Sequence, residues 1–195
     1  MVTLGPMITR DADATKARIL AAAVQEFAVH GCAGARVARI AAGAQANKSL
    51  IYTYFGNKDQ LFDAVIDAAV DGLHEAVLFT PLDLPDYGAQ LFDFIAAHQV
   101  EVRIDAWRRL ERPAVTARET EIFAEKIAAL DELRSNIGAA FDSADLLVSV
   151  LALAWSWTAV PAALGALAST DVASRRAQVV RSIEALCADA MRPVG

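Results

Sequence analysis

Residues 36–55 read RVARIAAGAQANKSLIYTYF, and the spacing of their apolar positions decides the fold. Val37, Ile40 and Ala41 recur at helical spacing, and Gly43 follows where such a helix would end. Asn47 is a good N-cap for a second helix beginning at Lys48, because its side chain can accept from backbone N–H groups that a helix start leaves free. On that helix Leu50, Ile51, Tyr54 and Phe55 share one side, while Lys48, Ser49, Tyr52 and Thr53 share the other. One flank is apolar; the other carries an ammonium, two hydroxyls and a phenol. A short helix of this kind, held against a preceding helix, has what reading the DNA major groove requires.

Working outward, residues 14–30 mix charged and apolar positions at a helical period and stop at Gly31, which suits a C-cap. On the other side Gly56-Asn57 breaks the pattern, and Asn57 can cap a helix starting at Lys58. With Leu61, Phe62, Val65, Ile66, Ala69 and Leu73 on one face, that helix is expected to run to Phe79. It is the natural connector, since a tilt at its far end moves whatever is fixed to its near end. Lys58 lies at its start, where N–H groups and the positive dipole end favour a phosphate.

Over residues 14–65 the chain resembles the TetR family of bacterial one-component repressors. Ile19, Leu20, Ala23, Phe27 and Gly31 resemble the family's first helix, and Tyr52, Tyr54, Phe55, Lys58 and Leu61 its YxYFxxKxxL ending. Three departures lie inside the match. Cys32 stands where an aromatic is usual, Ala35 and Arg36 where hydroxyl residues usually cap the second helix, and Gln45 where the turn glycine is usual. Arg36 can supply a charged phosphate contact in place of a hydroxyl. The set expected at DNA is therefore Arg36, Asn47, Lys48, Ser49, Leu50, Tyr52, Thr53, Tyr54 and Lys58. Within it Lys48 and Tyr52 hold phosphates, while Ser49, Thr53 and Leu50 approach base edges, Leu50 through a thymine methyl.

The remainder reads as helix. Thr80–Gly88, TPLDLPDYG, carries two prolines and a glycine and is expected to be a loop and a domain boundary. Helices are expected over 89–102, 103–111, 115–140, 144–168 and 172–191, with no strand signals. The fold class is thus all-α. It divides into an N-terminal arm and helix-turn-helix domain over 1–57, a connector over 58–79 and a larger helical domain over 80–195. Between Asp145 and Asp171 no charge occurs for 25 residues, enough to cross a bilayer. Trp155 and Trp157 sit mid-segment, acids flank it and Pro161 should break it, so a buried helix rather than a membrane span is expected. Such a helix needs cover on every side, part of it from a second copy of the chain. The resemblance implies the same, because TetR-like proteins pair their last two helices in a four-helix dimer interface.

The resemblance also implies that the larger domain binds a small molecule. Candidate residues are Phe94, His98, Arg103, Trp107, Phe123, Trp155 and Trp157, which would suit an apolar or aromatic compound with one or two polar groups. Trp155 and Trp157 are two apart on a helix, about 200° around, so they cannot both face one cavity. Each aromatic taken singly is more simply a core residue.

Charge is split along the chain. Residues 1–60 hold seven basic and four acidic side chains, a balance of +3, and 61–195 hold eleven and twenty, a balance of −9, which together give the net −6. Overall acidity therefore does not exclude a local basic face at the N-terminal end. Cys32 and Cys187 are far apart and outside any metal spacing, so two idle thiols are expected. The opening MVTLGPMITR has no basic head with a long apolar core, and is expected to be a flexible arm rather than an export signal.

Asp71 with His74, and Glu26 with His30, are one turn apart, but HExxH, Walker and nucleophile-elbow patterns are missing. No catalysis, metal or cofactor is expected. The expectation is a cytoplasmic homodimeric repressor released from an operator by an unidentified effector. Two rivals stand beside it: a dimeric interaction protein that has lost operator binding, and a small helical enzyme or carrier.

Overall fold

The computed structural model describes residues 6–113, 115–139, 141–168 and 171–190. Among them the secondary structure is helical, with ten α-helices: α1 Pro6–Gly34, α2 Val37–Gly43, α3 Lys48–Phe55, α4 Lys58–Ala76, α5 Leu84–Ala97, α6 Gln99–Glu111, α7 Ala117–Ile137, α8 Ser143–Trp155, α9 Ala162–Leu167 and α10 Val172–Ala190. The expected arm is helical from Pro6, a residue that a first helical turn accepts because its missing N–H has no partner to lose there. Residues 1–5 of the arm, and the expected helix ends at Ala140 and Met191, lie outside the described residues.

These helices form two compact units that do not follow a single cut in the chain. The first comprises residues 1–70 and 99–116, the second 71–98 and 117–195. So α6, expected in the larger domain, is part of the unit that carries α2 and α3.

The first unit is built on α1, whose Ile19, Ala23 and Phe27 are fully buried with Ile40, Ile51, Leu61, Phe62 and Ile104. Phe27 and Phe62 meet edge to face with centroids 4.9 Å apart. Gly31 interrupts α1 at φ 66°, the left-handed value expected of a terminating glycine. Polar contacts then fix α6 and the residue after it to this unit. Trp107 Nε1 donates to the Ala28 carbonyl at 3.3 Å, and the Glu111 carboxylate accepts from the Ala33 N–H at 3.0 Å. Arg112 reaches Asp59 at 2.9 Å and Asp63 at 3.2 Å.

In the second unit α5 packs against α8 and α10, and α7 against α8. The loop expected over 80–88 is shorter than its composition suggests. Asp83 caps α5 by accepting from the Asp86 N–H at 3.1 Å, and Pro85 falls in the first turn, so Tyr87 and Gly88 are already helical and buried. Gly88 is there for packing. A Cβ on it would lie 2.1 Å from Cδ1 of Ile183 on α10. The expected boundary between α5 and α6 also moves, to His98, where the backbone leaves the helical region at φ −113°, ψ 56°.

The uncharged stretch is not one helix. It is α8, a 3₁₀ turn over Ser156–Thr158, and α9, which starts after Pro161 as that proline's missing donor demands. Asp142 caps α8 from the Asp145 N–H at 2.9 Å, and Leu146, Leu147, Val150 and Ala154 are buried, whereas Leu164 and Leu167 on α9 are exposed. No helix among the described residues is long and apolar enough to cross a membrane.

Candidate nucleic-acid interface

The start of α2 shows how the chain manages without a hydroxyl cap. Arg36 is extended, at φ −120°, and makes no side-chain cap. Its N–H is met instead from α1, by Glu26 Oε1 at 2.8 Å. Glu26 is only 8% exposed, and its two oxygens also accept from Arg39 Nε at 2.7 and 2.9 Å. Those Arg39 hydrogen bonds are the main reason its carboxyl is held below the ordinary range. Arg39 continues to the Gly34 carbonyl at 3.0 Å, so one buried acid ties the end of α1 to the first turn of α2.

At the other end of α2 the chain reverses through paired backbone bonds, from Ala46 N–H to the Ala41 carbonyl at 3.0 Å and from Gln45 N–H to the Ala42 carbonyl at 3.2 Å. This is the Schellman pattern, and it requires a left-handed residue at Gln45, which sits at φ 50°. Gly43, the residue expected to end the helix, is instead its last helical position. Arg18 supports the turn from α1 by donating to the Ala44 carbonyl at 3.3 Å. Because a side chain at positive φ costs about 1–2 kcal/mol and glycine returns part of that as unfolded-chain entropy, Gln45→Gly is expected to stabilise the first unit by about 0.5–1 kcal/mol in urea unfolding. A destabilised variant would show that the Gln45 side chain holds the turn.

Asn47 begins α3 as expected, accepting from the Ser49 N–H at 3.1 Å. Ile51 is buried, and Leu50, Tyr54 and Phe55 pack half-buried on the same core. Lys16 lies over the Tyr54 ring, 5.5 Å from its centroid. Lys48, Ser49, Tyr52 and Thr53 are exposed on the opposite flank, with Arg36 and Asn47 exposed at the helix starts. The expected set therefore divides by position. Arg36, Asn47, Lys48, Ser49, Tyr52 and Thr53 present themselves to solvent, whereas Leu50 and Tyr54 serve the packing. Thr53 Oγ1 donates to the Ser49 carbonyl at 2.9 Å, which leaves the hydroxyl oxygen able to accept. Lys58 is engaged within the protein, its ammonium donating to the carbonyls of Ala33 at 3.2 Å and Ala35 at 3.4 Å. It closes the link between α1 and α2 while Asn57 caps α4 from the Gln60 N–H at 2.9 Å.

The residues expected around one ligand are divided between the two units, and those within the second unit do not share one place. Arg103 and Trp107 belong to the first unit, Arg103 exposed and Trp107 bonded to α1. In the second unit His98 stacks on Phe94 at 3.8 Å and approaches its carbonyl through Nδ1 at 2.8 Å, ending α5. Trp157 lines an apolar groove of about 310 Å³ with Leu153, Val160, Leu164 and Val179, and Arg175 lies over its ring at 4.1 Å; Trp155 is not among the lining residues. Phe123 faces a different place, the ammonium of Lys126, 5.8 Å from its centroid. Lys126 and Tyr87 were missed by sequence reasoning. The signal was a lysine in the apolar stripe Ile122, Lys126, Leu130 of α7, all three of which are buried.

Both cysteines are buried and unbridged, and burial raises both thiols. Asp71 pairs with Arg118 at 2.7 Å and Glu26 with Arg39, and no group of three or more potential ligands is placed to hold a metal among the described residues.

A capped short helix with a buried back and a polar front, joined through a tight turn to a helix braced on α1, is a helix-turn-helix DNA reader attached to a helical second unit. Residues 19–65 match the bacterial regulatory proteins, tetR family, and residues 83–184 match the tetracyclin repressor-like C-terminal domain. The chain is 42% identical over 160 residues to the HTH-type transcriptional repressor SCO4008 of Streptomyces coelicolor, covering 79% of this chain and 83% of that protein. It is 36% identical over 87 residues to the HTH-type transcriptional repressor NicS of Pseudomonas putida, covering 45% of this chain and 41% of NicS. Among solved structures, SCO4942 from Streptomyces coelicolor superposes with a TM-score of 0.77 at 36% identity, over 88% of this chain and 97% of that one. AibR, solved in complex with isovaleryl coenzyme A and operator DNA, shares the fold, with a TM-score of 0.64 at 17% identity over 87% of this chain and 97% of that one. The chain belongs to the TetR family of DNA-binding transcriptional regulators.

Proposed function

We propose that the chain acts in the cytoplasm as a homodimeric repressor, each subunit laying α3 in a major groove of a near-palindromic operator. The half-sites would then lie one helical turn apart, about 34–36 Å, or slightly more. The observation that carries this reading is the division of α3 into a flank buried on the core and a flank of Lys48, Ser49, Tyr52 and Thr53 open to solvent. Arg36, Lys48 and Tyr52 would meet phosphates, and Ser49 and Thr53 base edges. The departures at Ala35, Arg36 and Gln45 do not argue for a lost reader, since Glu26 and the Schellman turn replace the missing cap and glycine.

Dimerisation is assigned to the stretch from α8 to α10, where the apolar groove at Trp157 and the exposed Val148 of α8 and Leu164 of α9 would be covered by the second copy. A small molecule bound in the second unit would act as effector by preferring one of two states of the dimer. It lowers DNA affinity only by as much as its own affinity differs between them. The test is selection from randomised duplex pools at low ionic strength. A symmetric motif should emerge; a pool without enrichment would remove the operator-binding reading.

A further inference from the structure

Lys126 is an ammonium inside the second unit, on the buried stripe of α7 and only 6% exposed. Its Nζ lies 2.9 Å from Tyr87 Oη, and the rings of Tyr87, Phe79 and Phe123 surround it with centroids 5.2, 5.6 and 5.8 Å away. Phe79 and Tyr87 meet edge to face at 4.9 Å, which sets one corner of the box. The ring faces attract the cation but offer no hydrogen-bond acceptor, and an ammonium has three donors of which the phenol takes one. Burial lowers its pKa from the ordinary lysine value, with no carboxylate of the described residues acting against that. A charge enclosed without a counter-ion is costly, and an anion brought from outside would offset that cost.

The geometry points to Lys126 and Tyr87 as the anion-binding end of an effector site that takes a small monocarboxylate with an apolar body. The two polar groups are neighbours, so one carboxylate can meet both, an oxygen accepting from Nζ and the other from the phenol. Tyr87 is fit for that second bond because burial pushes its pKa up to about 12, which keeps its proton in place at neutral pH. The aromatic walls suit the ligand's apolar body. Of the surrounding rings, Phe123 and Phe79 are half-buried, and a ligand would enter past them. Phe79 stands on the non-helical segment 77–83, which also carries the exposed Leu78 and Leu82. This assignment rests on the reading that the second unit binds an effector.

The full-length protein is titrated calorimetrically with benzoate, phenylacetate and hexanoate, each against its neutral amide, with chloride and inorganic phosphate as ion controls. At least one acid should bind about tenfold or more tightly than its amide, the scale of a charge-assisted hydrogen bond. Lys126→Met should bring that ratio close to one, and Tyr87→Phe should lower it by about threefold. The phenylalanine variant carries the test if the methionine variant misfolds. Equal binding of acids and amides, binding of none of the acids, phosphate binding as tightly as the acids, or an undiminished preference in Lys126→Met overturns the assignment. Release of operator DNA is followed separately by fluorescence anisotropy. Acid binding without release upholds the anion site and overturns its role as an effector site; release by amides and acids alike keeps the effector reading and overturns the anion site.

Discussion

Glu26→Ala is expected to destabilise the first unit by about 2 kcal/mol at pH 7, more than a surface ion pair is worth, because the acid is buried and holds two elements at once. Its loss leaves the Arg36 N–H without its acceptor and removes the partner of Arg39. An unmet buried donor costs about 1–3 kcal/mol, and a fully buried pair broken on one side about 3–5 kcal/mol; the half-exposed Arg39 places this case between a surface pair and that limit. The effect depends on pH with a definite sign. Hydrogen bonds from Arg39 and Arg36 hold the folded pKa of Glu26 below its ordinary value of 4.5. The folded state therefore gains from the ionised form, a gain complete above the ordinary carboxylate pKa and lost as pH falls through the lowered folded value. Urea unfolding of the wild type and Glu26→Ala should accordingly converge toward pH 3. A gap of equal size at pH 3 and pH 7 would show that Glu26 matters through packing alone.

Lys48→Ala should leave stability within about 0.5 kcal/mol of the wild type, because the side chain is exposed and the cap of α3 is made by Asn47. Its effect falls on DNA. Each lysine that neutralises a phosphate contributes close to one unit to the slope of log affinity against log salt. A dimer carries two copies, so the slope should fall by about two units and affinity at low salt by roughly a hundredfold, for operator and unrelated duplex alike. A slope lower by about one unit would mean that only one subunit engages. A variant that lost affinity for the operator alone would place Lys48 at a base edge instead of a phosphate.

The reader was legible because its signals are local. Asn47 and Asn57 are caps whose role depends on the next two or three residues, and the division of α3 follows from a 3.6-residue period. The brace at α2 was not legible, since Glu26 reaches Arg36 from ten residues away and nothing in its neighbourhood marks it as an acceptor for that N–H. Lys58 misled for the same reason: its position at a helix start suits a phosphate, but the carbonyls of Ala33 and Ala35 come to it through the tertiary fold. Composition misplaced the stretch after α4, where Pro85 and Gly88 read as breakers although one fits a first turn and the other clears space for Ile183. The aromatics of the second unit that were expected to converge did not, because helix spacing tells which residues share a face and not which faces meet. Lys126 was missed although its spacing with Ile122 and Leu130 sets it in the apolar stripe of α7.

The assignment of α6 to the first unit limits how this chain can be divided. The DNA-reading body takes its material from two separated stretches, with 28 residues of the other body, 71–98, spliced between them. A fragment ending after α4 lacks Ile104, which fills the interior, and the indole, carboxylate and guanidinium that α6 and Arg112 contribute. Chimeras that exchange sensing modules between relatives therefore inherit a seam that must be cut three times rather than once, at residues near 70, 99 and 116.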